Sequence, residues 1–346
     1  MRVVAAAVGM IFMASACTGS SAVVLSPTAA PDSCAGIGAA PQGDGATWSQ
    51  LRPSRSPAPR GSAAIAFDGK NGQLVLFGGR SGKRVFNDTW TWDGGTWTEQ
   101  HSAAAPPPRE RAGFAADPSG RLILFGGYGP GSGANAQLGD TWSWDGHAWT
   151  EQHPTQSPPA GGDVRMFSVG SRGVLLYGGV NWSTHELSAS TWLWNGHDWT
   201  SVRTERHPPT GFGAAAVDRD GSILYQAGGS PAEPTVNETW RWDGQDWSEL
   251  HPAAAPPARQ DTGLTFIDRG TALLFGGTKT STTLNDTWIW TSGEWTQLAP
   301  GRSPIARASQ AMAFDPVRHQ LVLFGGTTLS ADFVETPLCD TWTWRP

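Results

Sequence analysis

The sequence predicts one all-β domain, a six-bladed β-propeller with four-stranded antiparallel blades, on three observations. The tetrapeptide Thr-Trp-x-Trp occurs six times, starting at positions 89, 141, 191, 239, 287 and 341. A Gly-Gly doublet precedes each copy, and successive doublets lie 48 to 52 residues apart, a period in the range of propeller blades. Finally, the last unit ends one strand short, and a matching strand precedes the first unit.

The first unit, from Arg60 to Gln100, predicts four short strands. Apolar runs at 62–67 and 74–77 flank a Gly-containing turn, and the second run ends in the Gly doublet. Thr89 to Trp92 is the third strand, and Asp93-Gly94 predicts a hairpin to the fourth. Because side chains two apart share one face of a strand, we expect the two Trp of each motif to pack between blades.

Of the 19 Trp residues, all except Trp182 lie at repeat positions. Recurrence at a fixed register is what packing demands, and a buried Trp removes about 200 Å² from water. We therefore interpret the repeated Trp as core residues. A ladder of Trp that stacks on sugars is the alternative.

The two ends of the chain predict how the ring closes. The last unit stops after its third strand, at Trp344. Thr47 to Leu51 resembles the fourth strands of other units, such as 294–298. We expect this N-terminal strand to complete blade six, which removes the open edges of the ring.

The first 17 residues predict an export signal, because Arg2 precedes an apolar run that is too short to span a bilayer. Ala14-Ser15-Ala16-Cys17 resembles a bacterial lipobox in which Cys17 would carry the lipid, although Ala14 stands where Leu is usual. Plain secretion after cleavage is the alternative. Residues 18–45 have the composition of a flexible tether. We therefore expect the mature chain outside the cytoplasm, lipid-anchored on the outer side of the cell membrane or secreted.

The cysteine positions limit the possible disulfides, and the net charge limits the possible binding partners. Cys34 and Cys339 are candidates for one disulfide in an oxidising compartment, and two unpaired thiols are the alternative. The formal net charge of -6 provides no basic surface for nucleic acid. We expect a monomer that does not bind nucleic acid.

With the Gly doublet, the Trp pair and the Asp-Gly hairpin in one period, residues 46–346 resemble a Kelch-repeat β-propeller. Such repeats carry an Arg near the entry of the first strand. Here Gly162 and Thr210 replace it in units three and four, and the matching arginines are Arg60, Arg109, Arg259 and Arg307. In similar propellers the first strands line the central channel, so the resemblance implies that these arginines favour an anionic ligand. The alternative is that each Arg bonds carbonyls of the adjoining blade.

The sequence shows no pattern for a metal or a cofactor, and we expect neither. Kelch-like enzymes of the galactose oxidase type need a copper site with a Tyr crosslinked to Cys, and no Cys occurs between Cys34 and Cys339 in the repeats. His101, His153 and His251 recur at one register after the fourth strand. We expect them around the rim, too far apart to share a metal.

The loops between the Gly doublet and the Thr-Trp pair differ in length. They have nine residues in units one, four and five, but 13, 11 and 14 in units two, three and six. Function on repeat scaffolds concentrates where the repeat is interrupted. We expect one ligand-binding face that includes Tyr128, Asn135, Trp182, His185, Glu186, Asp332, Phe333 and Glu335. Trp182 is a candidate carbohydrate or peptide contact, and an ordinary loop residue is the alternative.

The preferred hypothesis is a non-enzymatic, membrane-tethered module that binds an extracellular protein or a carbohydrate through this loop face. The alternative is an exported mutarotase or epimerase that acts on a sugar acid. It would be similar to the Kelch-type sialate mutarotases, with the channel arginines holding the carboxylate. A purely structural envelope protein is a third possibility.

Overall fold

A computed structural model describes residues 47–131, 136–181, 184, 186–229, 236–330, 332 and 334–345. The predicted export signal, Cys17, the tether and Cys34 lie outside the described residues. Cys339 is disulfide-bonded, and its pairing with Cys34 stays a prediction.

The propeller has six blades, each a four-stranded antiparallel sheet. Blade one contains β2 (Ala64–Asp68), β3 (Gln73–Phe77), β6 (Thr89–Trp92) and β7 (Trp97–Gln100), and blade two contains β8 (Gly113–Ala116), β9 (Leu122–Phe125), β10 (Thr141–Trp144) and β11 (Trp149–Gln152). Blade three contains β12 (Gly162–Ser168), β13 (Val174–Asn181), β15 (Thr191–Trp194) and β16 (Trp199–Val202), and blade four contains β17 (Ala214–Val217), β18 (Ile223–Gln226), β19 (Thr239–Trp242) and β20 (Trp247–Leu250). Blade five contains β21 (Gly263–Asp268), β22 (Thr271–Phe275), β25 (Thr287–Thr291) and β26 (Glu294–Leu298), and blade six contains β27 (Ala311–Asp315), β28 (Gln320–Phe324), β31 (Thr341–Arg345) and β1 (Thr47–Leu51).

The loops after the Gly doublets contain short strands of their own. Blade three extends its second strand through the doublet and pairs it with β14 (Glu186–Leu187). Three small hairpins are β4 (Arg80–Ser81) with β5 (Arg84–Val85), β23 (Thr278–Lys279) with β24 (Thr282–Thr283), and β29 (Thr327–Leu329) with β30 (Glu335–Pro337). A 3-10 turn at Gly170–Arg172 joins β12 to β13. In the described part of the chain, no helix is long and apolar enough to span a bilayer.

The N-terminal strand completes blade six, as the sequence predicts. β1 pairs antiparallel with β31, with Trp48 opposite Trp344. In blade one, the first strand starts at Ala64 instead of the predicted residue 62. Ser62 has φ of 57° and cannot continue a strand.

The core consists of six apolar clusters, one in each interface between neighbouring blades, which we call a seam. In blade one, Trp92 and Trp97 lie opposite each other on one face and pack against Phe324 of blade six. Both indoles are fully buried. This packing role agrees with the interpretation of the repeated Trp as core residues.

The Thr of each motif also serves the seams. The fourth-strand Trp149 donates its Nε1–H to Thr89 Oγ1 of the preceding blade at 2.8 Å. Four other seams repeat this bond at 3.0 to 3.1 Å, in the pairs Trp48–Thr287, Trp97–Thr341, Trp199–Thr141 and Trp295–Thr239. The seam between blades three and four differs, because Trp247 Nε1 and Thr191 Oγ1 both lack a partner among the described residues.

Candidate functional site

The four repeat arginines are structural clamps inside their own blades. Arg60 donates from Nε to Ala58 O at 2.9 Å and from NH1 to Gly78 O at 3.0 Å. It also forms a two-point contact with Asp88, at 2.5 and 2.8 Å. Arg109, Arg259 and Arg307 repeat the same bonds with Asp140, Asp286 and Asp340.

These contacts correct the prediction that Arg60, Arg109, Arg259 and Arg307 face the channel and bind an anion. Each is at most 1% exposed and uses four of its five N–H donors within the protein. The carbonyls that they bind lie in the connection into the blade, as at Ala58, and after its second strand, as at Gly78, not in the adjoining blade.

Each clamp carboxylate also accepts a hydrogen bond from the first Trp of the motif, for example from Trp90 Nε1 to Asp88 Oδ2 at 2.7 Å. Burial alone would raise the pKa of Asp88, but the hydrogen bonds and charge of Arg60, with the bond from Trp90, hold that pKa below its ordinary value. The pKa values of Asp140, Asp286 and Asp340 are lowered in the same way. Blades three and four have no clamp, because Ser190 and Glu238 replace the Asp there.

The predicted loop residues that the structure describes do not form one cluster. Tyr128 is 7% exposed and donates its hydroxyl to Val180 O at 2.7 Å, so it packs instead of facing a ligand, contrary to prediction. Glu186 is exposed in blade three and accepts a hydrogen bond from Thr184 at 2.9 Å. Asp332 and Glu335 are exposed in blade six, three blades away. The remaining predicted residues, Asn135, Trp182, His185 and Phe333, lie outside the described residues.

A polar ring surrounds one end of the central channel, where the first strands begin. Five residues of this ring adopt left-handed backbone conformations with φ of 53 to 57° although none is Gly: Ser62, Arg111, Asp163, Asp261 and Ser309. We call this end of the channel, with the neighbouring Arg165 and Gln310, the channel mouth. Such conformations cost about 1–3 kcal/mol each and persist only where the surroundings enforce them. Their accumulation at one place marks it as a candidate site.

Backbone hydrogen bonds link the ring from blade to blade. The N–H groups of Asp163, Arg111 and Ser62 donate to Arg111, Ser62 and Ser309 at 3.0, 2.9 and 2.8 Å. Ser309 N–H donates to Asp261 O at 2.8 Å. The pattern changes at blade four, where Phe212 donates within its own blade to Gly229 O.

Arg111 bridges the channel mouth. Its NH1 donates to Asp163 Oδ1 at 2.7 Å and to Asp261 Oδ1 at 2.8 Å, so the guanidinium joins blade two to blades three and five. Burial alone would lower the pKa of Arg111, but the charges of Asp163 and Asp261 raise it well above its ordinary value. The guanidinium is therefore charged at every accessible pH and holds the two carboxylates in place.

The mouth retains polar atoms that the protein does not satisfy. Asp163 Oδ2 and Gln310 Oε1 are buried acceptors without a partner in the described structure. Arg165 donates from Nε to Gly213 O at 2.8 Å, while its two terminal nitrogens bond to no described residue. All three side chains line a cavity of about 150 Å³. Buried polar groups are normally paired, so two unpaired acceptors in side chains that line this cavity distinguish the mouth from the rest of the described structure.

Below the mouth, most of the side chains that line the channel are apolar. A second cavity of about 210 Å³ shares Arg165 and Gln310 with the first. It also shares Phe114 and Met166 with a third, of about 520 Å³, toward the opposite end. Charged side chains line the channel at the mouth and again at the opposite end, where Asp218, Arg219 and Asp268 border the third cavity. Sequence reasoning missed this cluster, because Arg111, Asp163 and Arg165 recur in no repeat pattern.

The described residues contain no group of three or more His, Cys, Asp or Glu side chains that could hold a metal ion. The histidines at the predicted rim positions, His101, His153 and His251, are exposed.

Comparison with known proteins supports the fold. Residues 42–211 match the family model of the KLHDC2/KLHL20/DRC7 Kelch-repeats domain. A solved structure, that of YjhT, superposes with a TM-score of 0.63 over 84% of this chain and 95% of that chain, at 16% sequence identity. At this identity the likeness shows the fold alone. Altogether 323 chains of solved structures match, and no curated protein does. So widespread a fold gives little information about the ligand.

Proposed function

We propose that this chain, which is a Kelch-repeat six-bladed β-propeller, is an exported binding module whose channel mouth holds a carbohydrate. The observation that carries the proposal is the set of unsatisfied polar atoms around the small mouth cavity. Arg165 supplies free donors, and Asp163 and Gln310, which line the same cavity, each hold one buried acceptor without a partner in the described structure. Carbohydrate hydroxyls both donate and accept hydrogen bonds, so they match such a mixed set.

The charges at the mouth favour a neutral saccharide over a metal ion or a polyanion. Arg111 and Arg165 balance Asp163 and Asp261, so the site has no net charge. Arg111 is already paired with both carboxylates. A neutral ligand can therefore enter without burying an uncompensated charge, which would be costly.

Isothermal titration calorimetry with a panel of neutral and acidic saccharides tests this function. We expect binding that weakens about tenfold or more in Asp163→Asn and in Arg165→Met, because each loses a charge-assisted hydrogen bond. Asp268→Asn, at the opposite end of the channel and 66% exposed at its side chain, is the matched control and should bind normally. Absence of saccharide binding by the wild type would contradict the proposal.

The alternative function is an enzyme that acts on a sugar acid, and Arg165 is the residue that supports it. Its terminal nitrogens could hold a substrate carboxylate, a role that the four clamp arginines cannot fill. If this alternative holds, acidic saccharides bind more tightly than their neutral counterparts. The wild type should then accelerate anomer exchange of a sugar acid in nuclear magnetic resonance, and Arg165→Met should not.

Location outside the cytoplasm is part of the proposal and rests on the predicted export signal and the lipobox-like segment ending at Cys17. Lipidation of Cys17 would attach the propeller to the outer side of the membrane through residues 18–45. Cys17→Ser should move the protein from the membrane fraction to the soluble fraction, whereas Cys34→Ser should not.

A further inference from the structure

At the end opposite the channel mouth, an arginine side chain bridges each of two seams. Each of these arginines lies in the turn between the first and second strands of one blade. Its side chain reaches the Gly in the hairpin between the third and fourth strands of the next blade. Arg121 of blade two donates from NH2 to Gly196 O of blade three at 3.0 Å. Arg172 of blade three likewise donates to Gly244 O of blade four. These guanidinium groups fill the space between the two turns.

Between blades four and five, no described side chain makes this bridge to the hairpin Gly, although Arg219 NH2 of the same turn lies 3.7 Å from Asp268 Oδ1 of blade five. Ser222 precedes β18 just as Arg121 precedes β9, and its side chain is too short to reach blade five. A methyl group placed on Gly293, the hairpin Gly of blade five, would meet no atom within 4 Å. A cavity of about 450 Å³ occupies the space, lined by Ser222, Gly293 and their neighbours. We call it the seam cavity.

The carboxylate of Asp218 lines the seam cavity, and its counterpart in blade two, Asp117, is paired with an arginine. Asp117 Oδ2 of blade two accepts from Arg121 Nε and NH2 at 3.1 and 2.9 Å. Asp218 stands at the same position in blade four, is 8% exposed and lines the cavity. It accepts only backbone N–H groups, from Arg219 at 2.6 Å and Gly270 at 2.8 Å. Within the described residues, no cationic side chain pairs with it.

The other walls suit the stem of an organic cation. Trp290 and Phe266 contribute aromatic surface, and Leu250 adds aliphatic surface. Arg241 also lines the cavity, but its NH2 lies 3.8 Å from Asp220 Oδ2, a carboxylate other than Asp218. A volume near 450 Å³ is in the range of small-molecule sites, and a Trp face attracts a guanidinium.

We propose that the seam cavity binds an alkylguanidinium group of the size of an arginine side chain. The guanidinium pairs with Asp218 as Arg121 pairs with Asp117, and the aliphatic stem lies against Trp290 and Phe266. A free small molecule and an Arg within a peptide share this chemistry. The site is separate from the channel mouth, so it stands or falls independently of carbohydrate binding.

Calorimetric titration with arginine amide tests the proposal, and citrulline amide serves as the neutral probe of similar shape. We expect the wild type to bind arginine amide at least tenfold more tightly, because the ureido group lacks the charge that Asp218 requires. A short arginine-containing peptide that binds more tightly than arginine amide would indicate a peptide source. Equal affinity for arginine amide and citrulline amide, or no binding of either, would overturn the proposal.

Two variants place the binding in this seam. Asp218→Asn should weaken binding of arginine amide about tenfold or more. Ser222→Arg restores the bridge seen in blade two, so it should fill the cavity, raise the melting temperature and abolish binding. Ser201→Arg adds the same charge at an exposed position of blade three, and it should change neither the melting temperature nor the binding of arginine amide. Unchanged binding in Ser222→Arg, with the fold confirmed by its melt, would show that the ligand lies elsewhere.

Discussion

Asp286 and the other three clamp carboxylates each connect three parts of a blade. Asp286 accepts from Arg259, which enters the blade before the first strand, and from Trp288 on the third. Arg259 in turn donates to Gly276 O at the end of the second strand. The guanidinium thus satisfies backbone carbonyls in a loop where no ladder partner exists. Removing the carboxylate would leave a buried, uncompensated cation.

We expect Asp286→Asn to lower the free energy of unfolding by about 3 kcal/mol near neutral pH, because one partner of a buried ion pair is lost. Glu238→Gln is the matched control, since Glu238 accepts from Trp240 in blade four with no clamp Arg. It should cost less than about 1 kcal/mol. Chemical unfolding measures both, and equal losses would contradict the clamp.

The same carboxylates give the stability a pH dependence. Asp286 has a folded-state pKa below its ordinary value of 3.8. Its contribution is therefore complete above that value and is lost as the pH falls through the lowered folded-state pKa. The difference in stability between wild type and Asp286→Asn should accordingly shrink in acid. Unfolding followed from about pH 6 down to about pH 2 measures it, and a constant difference would argue against ionisation of Asp286.

At the scale of the strand, the Thr-Trp-x-Trp motif uses both faces of one short element. In blade two, Trp144 packs toward blade one, while Thr141 faces blade three and accepts from Trp199 Nε1 at 3.0 Å. A four-residue strand thereby contributes to two seams. This explains why the motif keeps Thr as well as Trp.

Thr141→Val should cost about 1–2 kcal/mol, because it retains the shape but leaves Trp199 Nε1 buried without an acceptor. Thr191→Val is the internal control. Thr191 Oγ1 already lacks a partner, so replacing it should be neutral or stabilising. Thermal melts of the two variants measure the difference, and an equal effect would refute the proposed role of the inter-blade bond.

Sequence periodicity predicted the strands and the closure of the ring because these features recur. The clamp also had a signal, since the residue before the motif is Asp in the four blades that have the entry Arg, as at Asp88 and Asp140. The channel mouth had none. Arg111 meets Asp163 and Asp261 from 52 and 150 residues away, and only the folded ring brings such distant positions together.

At the scale of the whole molecule, β1 is the strand that turns an open array into a ring. Trp48 is 1% exposed, pairs with Trp344, packs against Phe275 of blade five and donates to Thr287 Oγ1 at 3.0 Å. One N-terminal strand therefore holds the last blade and the seam beside it. Without it, β31 would present an unpaired edge.

Replacing residues 47–51 with an equal run of Gly and Ser should lower the melting temperature by about 10 °C or more. Loss of a buried Trp alone costs about 3–5 kcal/mol, and the backbone ladder to β31 is lost as well. The substitution keeps the chain length, so it does not by itself prevent the predicted bridge between Cys34 and Cys339. Ser49→Gly, at an exposed position within β1, is the control and should change the melt only slightly. If the replaced strand left the melt unchanged, blade six would be stable with three strands, and ring closure would not contribute to the stability of the propeller.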